Sequence, residues 1–352
     1  MKKNVIYLLL GFLGFFVSSC SDDDDDTLPV SSAYRMAIFN EGDFQAGNAS
    51  ISIITPENEI ENDVFEKVNN RPLGDVAQSG IIINNQLYVT LNNSAKIEVM
   101  DPISFLSIAT ILDEEKSITP IYMSPLSSGK AIVSDLYDNS MILVNTNTHA
   151  IEKKIDVNTA TKQMVTSRNK VFIAANNKML VMDFSKPESP RSITITDTDE
   201  LWFNARLVKD EDGNVWMLTS KALTCVDANK ETIVKEFVFA GSNIVSASWP
   251  QSFLDIDEEG DDLYLMATTN DKNALFKIDI DATSLPETPL FMLSSEVVTP
   301  YNMAVSPRGT IVVCDALDNK QSGLVFEFSQ SGEKLHQWTA GINPQYILFS
   351  DK

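Results

Sequence analysis

Short apolar runs recur along the chain at a regular spacing. Seven of them centre on a triplet: Met36-Ala37-Ile38, Leu87-Tyr88-Val89, Ala131-Ile132-Val133, Val171-Phe172-Ile173, Val215-Trp216-Met217, Leu263-Tyr264-Leu265 and Ile311-Val312-Val313. Successive triplets lie 51, 44, 40, 44, 48 and 48 residues apart. A second run follows each one and usually ends in Asp or Asn, as in Ile97 to Asp101, Ile142 to Asn145 and Leu275 to Asp279. Polar turns and a more polar third run come next, such as Glu152 to Asp156 or Thr232 to Phe237. Runs this short, rich in β-branched and aromatic residues and bounded by turn formers, predict strands. No long stretch carries the 3.6-residue apolar stripe of a helix.

Six of the seven units also open with a run of their own, for example Ser79 to Ile83, Ile121 to Pro125 and Met303 to Ser306. Four short strands per forty-odd residues match one blade of a β-propeller. The first unit lacks its opening strand, and the C-terminus carries a spare one, Gln345 to Phe349. The expected fold is therefore all-β: a seven-bladed β-propeller of four-stranded antiparallel blades, its ring closed by the C-terminal strand joining blade one. Radial closure leaves only short, protected sheet edges. A tandem of β-sandwiches would not produce the seven-fold period or the spare terminal strand.

The first residues read differently. Lys2 and Lys3 precede an uncharged apolar run from Val5 to Val17, then Ser18-Ser19-Cys20. The run is shorter than the ~20 residues that span a bilayer, and it has the layout of a bacterial secretory signal. Its end resembles a lipobox, in which the cysteine accepts a lipid and becomes the first mature residue. Asp22 to Asp26 follow, a placement that resembles the export signal of surface-exposed Bacteroidetes lipoproteins. Residues 1–19 are thus expected to be a signal peptide, residues 20–32 a lipidated acidic linker and residues 33–352 the propeller. The expected location is the outer membrane, anchored by lipid at Cys20 and exposed at the cell surface.

Without the two lysines of residues 1–19, 25 of the 27 basic side chains remain against 49 acidic ones, a formal charge of −24. Such a chain repels a phosphate backbone, so nucleic acid is not an expected partner. Cys225 and Cys314 fall in separate predicted strands and are expected to be buried and unbridged.

The run Asp135 to Asn145 with Glu152 to Ile155 resembles the YVTN-type propeller repeat. Asn40-Glu41-Gly42, the segment from Pro72 to Ser79, and Leu87-Tyr88-Val89 with Asn92 to Ser94 and Lys96 to Val99 resemble the DUF5074 family of Bacteroidetes lipoproteins. That family includes surface cobalamin-capturing lipoproteins of the BtuG type, which pass a corrinoid to a TonB-dependent outer-membrane transporter. The resemblance implies capture of a small-molecule nutrient, with cobalamin or another corrinoid as ligand and a TonB-dependent transporter as partner. It draws attention to Asn40, Glu41 and Asp75.

In a propeller, the loops between second and third strands share one face with the loops that lead to the next blade. Loops on a rigid scaffold carry binding groups. Here they supply Arg71, Trp202, Trp249 and Tyr301 between blades, and Phe44, Asn93, Tyr137 and Asn139 within them. Aromatics interleaved with amides suit a large planar ligand that also needs directional hydrogen bonds. Trp202 and Trp249 could equally pack between blades.

Other chemistry has less to stand on. The turns Asp210 to Gly213 and Asp255 to Asp262 resemble calcium loops but lack the ligand spacing and distal glutamate of an EF-hand. They fall on the opposite face, where Asp and Gly are ordinary turn formers. His149 and His336 are the two histidines, and neither maps to the loop face. No catalytic triad, zinc spacing or phosphate loop is written in the chain. The reading is a binder, with no enzymatic activity, cofactor or metal expected. Two alternatives stay open: a protein-interaction scaffold, and a metal-dependent propeller lyase or lactonase using Glu41, Asp75 and Asp135.

Overall fold

The computed structural model describes residues 34–113, 115, 117–175, 178–195, 206–246 and 253–350. Seven sheets of four antiparallel strands form a propeller. The innermost strands, in blade order from two to seven, are Ala77–Ile83, Pro120–Pro125, Thr161–Ser167, Arg206–Lys209, Phe253–Ile256 and Pro300–Val305. Blade one takes its innermost strand from the C-terminus: Pro344–Phe349 pairs antiparallel with Met36–Asn40, setting Met36 opposite Phe349 and Phe39 opposite Tyr346. The ring closes as the spare terminal run implied. One short helix, Val64–Asn69, bridges blades one and two and buries Val64 and Phe65.

The middle strands show why they read as unbroken apolar runs. Alternate side chains of a strand point to opposite faces, and here each face meets a neighbouring blade. Ala37 and Phe39 pack with Leu87, Val89 and Leu91 of blade two. Met36 and Ile38 pack with Val312 and Cys314 of blade seven. One strand thus feeds two cores, so both of its faces must be apolar. Outer strands face solvent, and Ala150–Asp156 is correspondingly half exposed and charged. Cys225 and Cys314 are buried and free.

Two devices set the loops. Tight turns between first and second strands use residue pairs that accept positive φ, such as Asn84 (50°) with Asn85 (59°) and Arg168 (51°) with Asn169 (58°), as two-residue hairpins demand. On the other face, an aspartate ending the second strand clamps the incoming inter-blade loop. Asp135 accepts from the backbone N–H of Thr119, Tyr137 and Asp138. Asp315 accepts from those of Val298, Thr299 and Leu317.

Candidate ligand-binding face

The loop face is organised around Glu41, the residue after blade one's second strand. Its carboxylate accepts from Gln78 Nε2 of blade two at 2.5 Å and from the Tyr301 hydroxyl of blade seven at 2.8 Å. Its backbone N–H donates to Asn343 O, and its carbonyl accepts from Val76 N–H. Burial pushes the carboxyl from 4.5 up to about 7, against the two hydrogen bonds that favour the charge. The same enclosure, with Glu41 alongside, pushes the Tyr301 phenol up. Three blades therefore meet at one carboxylate beside the ring seam.

The other expected residues divide. Asp75 lies next to this node: its Oδ2 accepts from Asn93 Nδ2 at 2.5 Å, and its N–H donates to Ser94 Oγ. Asn40 is fully buried beneath, with Nδ2 directed at Ser50 and Ser52. A Cβ on Gly341 would come within 2.8 Å of Asn40, so glycine is needed there. Arg71 is engaged elsewhere. Its guanidinium holds Glu98 at 2.6 Å and Ser107 at 2.9 Å, over the Phe65 ring. Phe44 and Tyr137 project into solvent, at 67% and 72% exposure. Asn139 is exposed, and its carbonyl accepts from Val157 N–H. Trp202 and Trp249 lie outside the described residues, as does Cys20.

The structure adds a set that sequence reasoning missed. A central cavity of about 290 Å³ is lined by inner-strand residues, among them Tyr122, Gln163, Arg206, Asp255, Asn302 and Tyr346. Arg206 Nη1 donates to the Tyr122 hydroxyl at 3.1 Å, a bond that joins blades three and five past blade four. Gln163 Oε1 accepts from Leu207 N–H, and Asp255 Oδ2 from Val305 N–H. Burial raises the Tyr346 phenol, with Tyr122 and Asp255 adding to the rise and Arg206 opposing it. The signal is a polar or aromatic residue in the innermost strand of six blades, all but blade two. An apolar period marks the strands but does not single out the polar residue each one turns to the axis. At about 30 Å³ per water-sized group, the cavity admits roughly ten such groups. A larger ligand would have to rest on the face.

The acidic turns of the opposite face serve their own backbone. Asp257 Oδ1 accepts from the N–H of Gly260, Asp261 and Asp262, and Asp210 holds Asn214 and the Trp216 indole N–H. Among the described residues no three His, Cys, Asp or Glu side chains group as a metal site. Asp135, a candidate for such a site, is the loop clamp described above and is 1% exposed.

These features define a seven-bladed β-propeller with a polar, amide- and tyrosine-lined axis. The model of the DUF5074 family, a domain of unknown function, matches residues 35–337, and the chain belongs to that family. Among solved structures, a quinonprotein alcohol dehydrogenase-like protein from Bacteroides thetaiotaomicron is similar at TM-score 0.70 and 16% identity, covering 89% of this chain and 78% of that one. A protein from Lactobacillus plantarum matches at TM-score 0.66 and 11% identity, over 90% and 99% of the two chains. Virginiamycin B lyase from Staphylococcus aureus matches at TM-score 0.56 and 10% identity, over 78% and 88%. Identities this low establish the shared fold alone. No curated protein sequence matches the chain.

Proposed function

We propose that the protein is a lipid-anchored binder on the cell surface. It captures a small-molecule nutrient on the loop face and passes it to a TonB-dependent outer-membrane transporter. The observation that carries the reading is the paired arrangement on that face. A three-blade node at Glu41, with Asp75 and Asn93 beside it, flanks an axis lined by Tyr122, Gln163, Arg206, Asn302 and Tyr346. Donors and acceptors alternate with aromatic surface there, which suits an amide-bearing ligand. Cobalamin or a related corrinoid is the leading ligand. The resemblance of Asn40 to Gly42 and Pro72 to Ser79 to cobalamin-capturing lipoproteins supports it. The small cavity fits that view, with the bulk of the ligand on the face and one polar arm directed to the axis. The signal layout ending at Cys20 and the aspartates after it support surface anchoring.

Calorimetric titration of cobalamin into the chain from Ser21 onward tests the ligand. Saturable 1:1 heat supports it, and absence of heat at high micromolar cobalamin removes the corrinoid. A second reading, a protein-interaction scaffold, draws on Phe44 and Tyr137, whose exposed rings on this face are the kind of anchor that protein partners bury.

A further inference from the structure

A groove on the opposite face, where blades seven, one and two meet, has features that the loop-face site does not use. Its volume is about 610 Å³. That exceeds the central cavity at about 290 Å³ and a furrow between blades four and five at about 370 Å³. Pro56, Ile82, Pro102 and Ile103 form an apolar wall. Ile82, near the end of the strand Ala77–Ile83, is 39% exposed, and Ile103, in a turn, is 56% exposed. Asp101 enforces it: its Oδ1 accepts from the N–H of Ile103 and Ser104 and from the Ser104 hydroxyl, which fixes the turn that presents Ile103.

The central cavity is lined by one cation and one anion, Arg206 and Asp255. The furrow is lined by Arg168 and Lys209 against Asp210 and Glu211. The groove has Arg35 and Arg308 against Asp101. Arg35 is held by Glu327 at 2.7 Å, whereas the Arg308 guanidinium has no partner among the described residues. With Arg35 balanced by Glu327 and Asp101 turned onto the turn it fixes, Arg308 is left as an exposed cation without an ion pair among the described residues, and beside an apolar wall it suits a ligand with one anionic group. We infer that this groove binds an elongated apolar small molecule carrying one anionic group, its tail against Ile82 and Ile103 and its anion at Arg308. The volume lies within the range of about 300–1,000 Å³ typical of small-molecule sites and holds roughly twenty water-sized groups.

Decanoate is the probe, with 1-decanol as its neutral counterpart. Both are titrated by calorimetry into the chain from Ser21 onward, which contains every core cluster of the ring. Saturable binding of decanoate to one site is expected. Ile103→Asp should weaken it by about tenfold or more, equivalent to about 1.4 kcal/mol. Arg308→Ala should weaken decanoate by about tenfold and leave decanol unchanged. Both side chains are exposed, so the variants should melt as the wild type does; were Ile103→Asp to unfold, Arg308→Ala decides alone. Leu335→Asp, at an exposed aliphatic on blade seven, should change nothing. Absence of saturable heat overturns the inference. So does decanol binding as tight as decanoate, or an equal loss in Leu335→Asp, which would indicate diffuse apolar adsorption.

Discussion

The Tyr301 hydroxyl donates to Glu41 Oε2 at 2.8 Å, and this one bond ties blade seven to blade one at the point where the ring begins and ends. Gln78 completes the tie to blade two. A carboxylate placed here is costly to ionise, because burial outweighs its two donors and lifts it to about 7. The enclosed group therefore changes charge near neutral pH.

That placement predicts a pH-dependent stability. Unfolded, Glu41 titrates at its ordinary value of 4.5; folded, at about 7. Between the two, the native state holds the proton and the unfolded state does not. The contribution is therefore fully present below pH 4.5 and is lost as the pH rises through 7. Glu41→Gln should remove that slope and stabilise the protein at pH 8 by roughly 1–2 kcal/mol, the residue's partial exposure trimming the effect. Urea unfolding at pH 5 and pH 8 measures it. Equal pH dependence in the wild type and the variant would show that Glu41 stays ionised in the fold.

Arg71 should behave as a structural residue. Glu98 is fully buried, and Arg71 is its closest cation, with Lys96 at 3.2 Å as the second. Arg71→Ala leaves the Glu98 carboxylate with one ion-pair partner and should cost about 2 kcal/mol of stability. Ligand affinity at the loop face should not change. A variant that melts normally but binds the ligand less tightly would return Arg71 to the binding site.

Closure is the third test. Pro344–Phe349 covers blade one's second strand along five paired positions. Tyr346 packs on Phe39 with ring centroids 5.9 Å apart, and Phe39 in turn occupies the space that Gly80 leaves open. Removing residues 344–352 uncovers the strand Met36–Asn40 and breaks contacts with both neighbouring blades. The expected result is loss of the cooperative thermal transition for the whole ring, not a trimmed tail. An unchanged Tm would mean that the ring holds without its terminal strand.

The fold was legible because a blade repeats. Met36–Asn40 and its six counterparts are apolar on both faces, and only stacked blades cover both faces of a four-stranded sheet. The spare terminal strand then had one place to go. The site was legible only in part. Glu41 and Tyr301 stand 260 residues apart in sequence, and no local pattern says that they bond. Arg71 looked available because a loop cation usually is, but its partner Glu98 sits in the middle of an apolar strand and reads as outward-facing. The axial residues Tyr122, Arg206 and Tyr346 were hidden for the opposite reason. Their strands are short, and their neighbours Met123, Leu207 and Ile347 supply the core pattern that draws the eye.

Trp202 and Trp249, which the sequence pattern assigns to the loop face, carry the last prediction. In sequence, Trp202 and Trp249 come shortly before the inner strands of blades five and six, Arg206–Lys209 and Phe253–Ile256, which bring Arg206, Leu254 and Asp255 to the axis. Indole rings would give a large ligand flat apolar contact at small entropic cost, and Arg206, Gln163 and Asn302 on the axis offer polar groups to the same ligand. If the tryptophans anchor the ligand, Trp202→Ala and Trp249→Ala should each cost about 2 kcal/mol of binding, roughly thirtyfold in affinity. Asp212→Ala or Asp257→Ala, on the opposite face, should leave affinity unchanged. Cobalamin calorimetry on the four variants decides the matter. Binding that tolerates both tryptophan changes leaves the described groups, Glu41, Tyr301 and the axial residues, to carry the ligand.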